Sequence, residues 1–245
     1  MSGHSKWHNI QHKKGAVDAA RSGLFTKLAR EITMAAKLGD KNPDNNPRLR
    51  LAILQARKSS MPNDNIKRAI DKASGANTEN YVAVRYEGYG PGAVPVIVEA
   101  LTDNPRRTVP EVRNIFAKNG GNMGTSGCVS FMFTKVGTIV IEAEDISEEK
   151  LMEDALECGA SDFITDGDVY IVRTEPNDLS GVRDDLEAKG YKFISADIEY
   201  LPSTYTRLES EDDLKAMGKL LDMMDENDDV QGVWHNLENQ DEIPH

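Results

Sequence analysis

Lysine and arginine side chains are concentrated in the first 75 residues of the chain. This segment has 15 Lys and Arg against 6 Asp and Glu, a net charge of +9, whereas residues 76–245 have 14 against 35, a net charge of −21. Grouped cations neutralise phosphate groups and release their counterions, so we predict that the segment contacts a polyanion, most simply a nucleic acid. The candidate nucleic-acid-binding residues are Lys6, Trp7, His8, Lys13, Lys14, Arg21, Lys27, Arg30, Arg48, Arg50, Arg57, Lys58, Lys67 and Arg68.

Two further features extend this hypothesis. Trp7 is flanked by a lysine and a histidine, and its indole ring could stack on an unpaired base. Arg106 and Arg107 precede a predicted helix over residues 109–118, whose N-terminus would favour anions, so they form a predicted secondary contact for a polyanion or a partner. The alternative interpretation of these cations is a solvated helix surface, and the residue types do not separate DNA from RNA.

A few other residues have types that could suggest metal binding or catalysis. His4, His8 and His12 are four residues apart and would share one face of a helix, as metal ligands do, but no Cys, Asp or Glu accompanies them. We therefore predict no metal site and no cofactor. Thr125 and Ser126 have no nearby histidine to activate them, and the carboxylate clusters are typical of a solvated acidic face. The sequence predicts a binding protein and not an enzyme.

The elements that position the basic residues are predicted to be helices. Residues 1–14 have almost no apolar side chains and are expected to form an arm. Apolar residues then recur at helical spacing, and helices are predicted over residues 16–21, 24–38, 47–59 and 62–74. Gly23 is expected to end the first helix, and Asn46 to cap the third. The last three helices would make a small bundle.

The hydrophobic period changes after residue 76. Residues 136–202 have the order strand, helix, strand, strand, helix, strand, which is the ferredoxin-like arrangement. Around this segment, strands are predicted over 82–87, 94–101, 129–133, 204–208 and 230–236, and helices over 109–118 and 212–224. We predict that strand 94–101 and the elements that follow it outside the segment form a second set with the same order.

The fold class is therefore α+β, with an N-terminal three-helix domain and two ferredoxin-like α/β domains. The predicted domains are a basic helical domain over 1–76, a discontinuous α/β domain of 77–135 and 203–238, and an inserted α/β domain over 136–202. Two cysteines without CxxC spacing, no signal peptide and no apolar span of membrane length predict a reduced, cytoplasmic protein without membrane contact. The oligomeric state is left open, with a monomer favoured.

Several long motifs resemble one protein family. The segments GHSKWHNIQHKKGAVDAARSGLFTKLAREI, NPRLRLAILQARKSSMPNDNIKRAI, YEGYGPGAVPVIVEALTDNPRRTVPEVRNIFAKNGGNMGTSGCVSFMF and DVQGVWHN are similar to the YebC/PmpR family, from about residue 2 to residue 236. The resemblance implies three domains, the third inserted in the second, and a bacterial, cytoplasmic regulator that binds DNA. It also implies a link to translation, because mitochondrial relatives are translational activators and bacterial members are connected to ribosomes stalled on proline-rich chains.

Two functional hypotheses follow from the residues and the resemblance together. The first is a DNA-binding regulator of transcription. The second is a ribosome-associated translation factor whose basic residues contact ribosomal RNA and whose acidic α/β domains meet a basic protein partner. The predicted function is a nucleic-acid-binding regulator of gene expression, with transcription first and translation as the alternative.

Overall fold

The computed structural model describes residues 19–73 and 80–244. Within these ranges the elements are α1 (Ala19–Leu38), α2 (Pro47–Lys58), α3 (Asn63–Lys72), β1 (Val82–Tyr89), β2 (Pro95–Thr102), α4 (Pro105–Lys118), β3 (Asn122–Met123), β4 (Phe133–Glu142), α5 (Glu148–Glu157), β5 (Asp162–Asp166), β6 (Val169–Thr174), α6 (Leu179–Ala188), β7 (Phe193–Pro202), α7 (Glu211–Glu226) and β8 (Val230–His235). The described residues up to Phe133 and from Pro202 onward form a first compact unit, and Thr134–Leu201 forms a second. The division into three domains stays a prediction.

Helices α1, α2 and α3 pack around a small core of their own in the first unit. Ile32, Leu49 and Ala56 are fully buried in it. The prediction that Gly23 ends a helix was wrong, because α1 continues through it without a break. A glycine in a helix costs only about 1 kcal/mol relative to alanine, which the packing of the apolar residues after it outweighs. The rest of the predicted first helix, residues 16–18, lies outside the described part of the chain.

Asn46 joins the end of α1 to the start of α2. Its side-chain oxygen accepts the backbone N–H of Leu49 at 3.1 Å, which confirms the predicted N-cap. Its amide nitrogen donates to the carbonyl oxygen of Ala35 at 2.8 Å, which also accepts the N–H of Gly39, and to that of Asp40 at 2.6 Å, in the turn after α1. One buried side chain therefore bonds to three backbone groups at the corner between two helices.

The first sheet has the strand order β3-β1-β2-β8, with each neighbouring pair antiparallel. Its core joins the inward side chains of β1, β2 and β8 to those of α4 and α7, among them Val96, Val98, Phe116, Met217 and Leu220. Strands β2, β3, β1 and β8 occupy the four positions of a ferredoxin-like sheet. The third position is filled by β1, which precedes the other three strands in the sequence.

This arrangement corrects two strand predictions. Residues 129–133 are not a strand, because Ser130–Met132 forms a 3₁₀ turn and β4 begins only at Phe133. The backbone N–H groups of Val129 and Ser130 bond instead to the carboxylate of Glu87, at 3.0 and 2.9 Å. Residues 204–208 are likewise not a strand and make a single bridge to Leu237. The strand β1 fills the sheet position predicted for residues 204–208.

The second unit has the predicted ferredoxin-like order. Its sheet has the order β5-β6-β4-β7, and β4 pairs with β6 in a register that runs from Gly137 opposite Thr174 to Glu142 opposite Val169. Helices α5 and α6 contribute buried leucines to its core. Gly137 permits the close approach of α6, because a Cβ there would lie 2.9 Å from the Cβ of Leu179.

None of the helices in residues 19–73 and 80–244 is long and apolar enough to cross a membrane.

Candidate nucleic-acid interface

A groove of about 640 Å³ opens between the helical bundle and the α/β part of the first unit. Helices α1 and α3 form one side, and the chain around β1 and the start of α4 forms the other. Among the described residues that line it, the charged ones are Arg30, Arg68, Lys72, Arg107 and Asp103. Four cations against Asp103 and the neighbouring carboxylate of Asp229 leave the groove a net positive charge of two, inside a chain whose overall charge is −12. It is therefore a local attractor for anions.

The cations from α3 lie on one face of that helix. Arg68 and Lys72 are four residues apart and both are exposed. The Nε of Arg68 donates to the carbonyl oxygen of Asp64 at 3.2 Å, and its Nη2 donates to the side-chain oxygen of Asn65. These bonds direct the guanidinium along the helix surface without neutralising its charge, so it remains available to an anionic ligand.

Two arginines, Arg30 from α1 and Arg107 from the start of α4, share a buried carboxylate across the groove. Arg30 Nη1 lies 2.5 Å from Asp229 Oδ1, and Arg107 Nη2 lies 3.0 Å from Asp229 Oδ2. Thr102 and Thr108 also donate to Asp229, at 3.0 and 2.6 Å. Burial alone would raise the pKa of Asp229, but the bonds from Thr108, Arg107, Arg30 and Thr102 outweigh it and lower the pKa. The lowered pKa favours the ionised form of Asp229, and this carboxylate fixes the positions of the two guanidinium groups.

Two aromatic rings lie among these charges. Phe25 and Tyr81 are half-buried and line the groove. The guanidinium carbon of Arg30 lies 5.5 Å from the centroid of the Tyr81 ring, within the range of a cation–π contact. An aromatic surface beside fixed cations can contact both the flat and the charged parts of one ligand.

The predicted binding residues are only partly brought together. Lys6, Trp7, His8, Lys13 and Lys14 lie outside the described residues, and of Arg21 the structure describes the backbone alone. Arg30 and Arg68 lie at the groove, as does Arg107 from the predicted secondary contact. Arg57, Lys58, Lys67 and Arg106 are exposed on helix surfaces away from its lining.

The remaining predicted cations contact protein acceptors. Lys27 is only 11% exposed and lies 3.7 Å from Asp225 Oδ1. Arg48 makes a two-point contact with Glu31, at 2.7 and 3.1 Å. Arg50 donates to two backbone carbonyl oxygens in the turn before α2. These three side chains support the local fold, and their contact with nucleic acid stays a prediction.

Three features of the groove were missed by sequence reasoning. Lys72 could have been found, since it is one helical turn after Arg68 and continues the same face. Tyr81 and Asp229 gave no signal, because their role depends on contacts with residues far away in the chain. Helix α4 also begins earlier than predicted, at Pro105, which suits the first turn of a helix. Arg106 and Arg107 therefore lie in its first turn, not before it.

Groups suited to metal binding or catalysis are sparse within the same ranges. No cluster of three or more His, Cys, Asp or Glu that could hold a metal occurs among the described residues. Cys128 and Cys158 are free thiols whose pKa is raised, chiefly by burial, which disfavours the reactive thiolate.

Comparison with known proteins places this architecture among related chains. A family model described as the TACO1/YebC protein N-terminal domain matches residues 5–76, and one described as the TACO1/YebC second and third domain matches residues 81–237. A Clostridium beijerinckii protein is 53% identical over 97% of both chains, and a Clostridioides difficile protein is 56% identical over 94% of this chain and 97% of its own. Both are named "probable transcriptional regulatory protein".

A solved structure agrees with these matches. The crystal structure of a conserved hypothetical protein, Aq1575 from Aquifex aeolicus, superimposes with a TM-score of 0.83 at 46% identity. The alignment covers 96% of this chain and 97% of that one. The similarity therefore extends over the whole architecture and is not confined to one unit.

Proposed function

The chain belongs to the TACO1/YebC family, and we propose that it regulates gene expression, with transcription as the regulated process, by binding nucleic acid through its basic helical bundle and the adjoining groove. The names of its relatives support a regulatory role. The observation that carries nucleic-acid binding is the convergence of Arg30, Arg68, Lys72 and Arg107 on one groove. The protein acts by binding, with no chemical step of its own.

The charge distribution supports the same proposal. Residues 19–73 have 12 Lys and Arg against 5 Asp and Glu, a net charge of +7. The acidic remainder of the chain disfavours non-specific contact with a polyanion elsewhere on the surface. Nucleic acid would therefore meet the protein in one orientation, with the bundle toward the phosphates.

A salt titration of binding tests this proposal. The double variant Arg68→Ala/Lys72→Ala removes two exposed cations of the groove, and the matched control Lys215→Ala/Lys219→Ala removes two exposed cations of α7. With fluorescent oligonucleotides of mixed sequence, the slope of log K against log salt should fall by about 0.7 to 0.9 for each phosphate that the groove variant no longer neutralises. Equal slopes for the groove variant, the control and the unmodified protein would exclude the groove as the interface.

A separate experiment identifies the regulated process. Crosslinking in cells that express the protein at native level should recover discrete promoter fragments. Sedimentation of the lysate after DNase treatment tests the translational alternative, by showing whether the protein associates with ribosomes. Co-migration with ribosomes that survives removal of DNA, without promoter fragments, would replace transcription by the translational alternative while leaving nucleic-acid binding intact.

A further inference from the structure

We propose that the groove holds an unpaired segment of nucleic acid and discriminates against duplex. This inference rests on the proposed function and specifies the ligand class of the same site, which in transcription would be a strand exposed where the promoter duplex is opened. It follows from three properties of the described residues: the concave shape, the aromatic surface and the position of the cations around it.

The shape of the groove is the first argument. It is an open groove whose volume of about 640 Å³ is within the range of ligand-binding clefts. Duplex DNA is read in the reverse geometry, by a helix or ribbon that protrudes from the protein and enters a major groove about 12 Å wide. A concave site between two walls cannot enter that groove. It can receive a strand whose bases are not paired.

The aromatic surface is the second argument. Proteins that bind single strands combine a cationic track with side chains on which bases stack, and this stacking tolerates any base. Tyr81 supplies such a ring, with the guanidinium carbon of Arg30 5.5 Å from its centroid, and Phe25 lines the groove while it also packs against the bundle core. In a duplex the base faces are covered by neighbouring bases, so these rings would have no partner.

The position of the charges is the third argument. Arg68 and Lys72 come from α3, while Arg107 comes from the opposite wall at α4, so cations line both walls of the groove. A strand that passes between the walls would place its phosphates against these cations and its bases against Tyr81. A duplex has one phosphate per about 1.7 Å of axis, twice the density of one strand, and residues 76–245 carry a net charge of −21. Long duplex would therefore meet more repulsion than a short single strand.

Fluorescence anisotropy with one labelled 12-mer tests the inference. The probe is used as a single strand and as a duplex with its complement, in DNA and in RNA versions. We expect the protein to bind the single strand at least tenfold more tightly than the duplex at the same salt concentration. The DNA and RNA arms report whether the 2′-hydroxyl contributes, and either preference is consistent with an unpaired ligand.

Variants of the aromatic ring make the test specific. Tyr81→Leu should weaken single-strand binding about tenfold while leaving the salt slope unchanged, because it removes a stacking surface and no cation. Tyr81→Phe keeps the ring and should bind as the unmodified protein does. The matched control is Tyr205→Leu, at an aromatic residue of the first unit that is 54% exposed and outside the groove. Thermal unfolding of each variant verifies that the bundle remains folded.

The outcomes separate this inference from the proposed function. Equal affinity for single strand and duplex would overturn the inference, and so would equal effects of Tyr81→Leu and Tyr205→Leu. In both cases the loss of binding in Arg68→Ala/Lys72→Ala would still support nucleic-acid binding. Failure of the unmodified protein to bind any of the four probes would overturn the proposed function itself.

Discussion

Arg30 and Asp229 lie 199 residues apart in the sequence and form a short ion pair, with 2.5 Å between Nη1 and Oδ1. Their side chains are 14% and 4% exposed. Arg30 Nη1 also donates to the carbonyl oxygen of Asp228 at 2.6 Å. The contact attaches α1 of the bundle to the chain just before β8, and Arg107 joins it from α4. One buried carboxylate therefore connects the bundle to the sheet and fixes the positions of the two groove arginines.

Asp229→Asn should weaken nucleic-acid binding even though it makes the chain less negative. An amide cannot accept all the bonds that the carboxylate accepts from Arg30 and Arg107, so both guanidinium groups would lose their fixed positions in the groove. We expect a fall in single-strand affinity of about fivefold or more. Unfolding by urea should show a loss of about 3 kcal/mol, typical of breaking a buried ion pair.

Asp103→Asn is the matched control for this charge change. Asp103 also lines the groove and contacts Arg107 at 2.8 Å, but its side chain is 38% exposed. The Asp103→Asn variant should bind nucleic acid at least as tightly as the unmodified protein, because a groove carboxylate is lost while Asp229 remains. If both variants strengthen binding, Asp229 acts only as a negative charge and does not position the arginines.

Asn46→Ala should destabilise the bundle by about 2 kcal/mol, since it removes an N-cap and two buried bonds to backbone carbonyls. Gly39→Ala should also be destabilising, because a Cβ at Gly39 would lie 2.6 Å from Asn46 Nδ2. In the Asn46→Ala background the same glycine substitution should cost much less. Urea denaturation of the two single variants and the double variant measures this coupling.

If the losses of stability from Asn46→Ala and Gly39→Ala simply add in the double variant, the two residues do not share one packing site. Asn42→Ala is the control, because Asn42 makes a similar cap to Asp44 N at 3.0 Å in an exposed turn. It should cost less than about 1 kcal/mol, since an exposed cap leaves no buried group unsatisfied.

Glu87→Gln should destabilise the first unit in a pH-dependent way. Burial alone would raise the pKa of Glu87, but bonds from the N–H groups of Val129, Gly127 and Ser130, with the charge of Arg85, lower it. A carboxyl whose folded pKa is depressed contributes stability that is present above its unfolded pKa and is lost as pH falls through its folded pKa. At pH 7 the free energy of unfolding of the unmodified protein should exceed that of the variant by about 2 kcal/mol. This difference in stability should disappear in acid.

Urea denaturation between pH 7 and pH 3 measures that gap. Glu209→Gln is the control, at a glutamate whose side chain is 86% exposed. It should change stability little at any pH in the series. A gap for Glu87→Gln that stays constant with pH would mean that the glutamate supports the loop by shape and not by charge.

Tyr191 should ionise unusually late in an alkaline titration. Burial and its hydrogen bond to Asp154, 2.6 Å long, raise the pKa of Tyr191 to about 12. Because the folded pKa is raised above the unfolded value of about 10, the stability it contributes is present below pH 10 and is lost as pH rises toward 12. Ultraviolet absorbance follows phenolate formation, and Tyr191→Phe identifies the signal by removing it.

Asp154→Asn should move this titration toward ordinary values, because the carboxylate that disfavours the phenolate is gone. Lys189, whose Nζ lies 2.6 Å from Asp154 Oδ1, remains in place and would then favour ionisation. An unchanged titration in Asp154→Asn would assign the shift to burial alone.

Much of the second unit could be predicted because its signals are local. Continuous apolar runs mark β4 and β6, and Ser147, which caps α5 through the N–H of Lys150, is of a residue type that favours this position. Capping preference also predicted the N-cap at Asn46. Each of these depends on residues within a few positions of one another, where periodicity and capping act.

The errors fall where long-range contacts override local preference. Gly23 is a common type of helix end, yet α1 passes through it because the apolar residues beyond it are buried in the bundle. Residues 129–133 have strand-forming side chains, but their N–H groups bond to Glu87, which is about 42 positions away. The place of β1 in the sheet depends on pairing with both β2 and β3, which no single segment encodes.

The sequence by itself determined the class of protein: a basic helical segment, an acidic α/β remainder, and motifs that identify the family. Charge and periodicity are properties of composition and short spacing, so they can be read without coordinates. Only the tertiary structure decided which cations lie together. Arg30 and Arg107 converge because both bond to Asp229, and the groove beside Tyr81 exists because the bundle packs against the sheet at that carboxylate. Such a site depends on contacts between distant residues, and these form only when the chain folds.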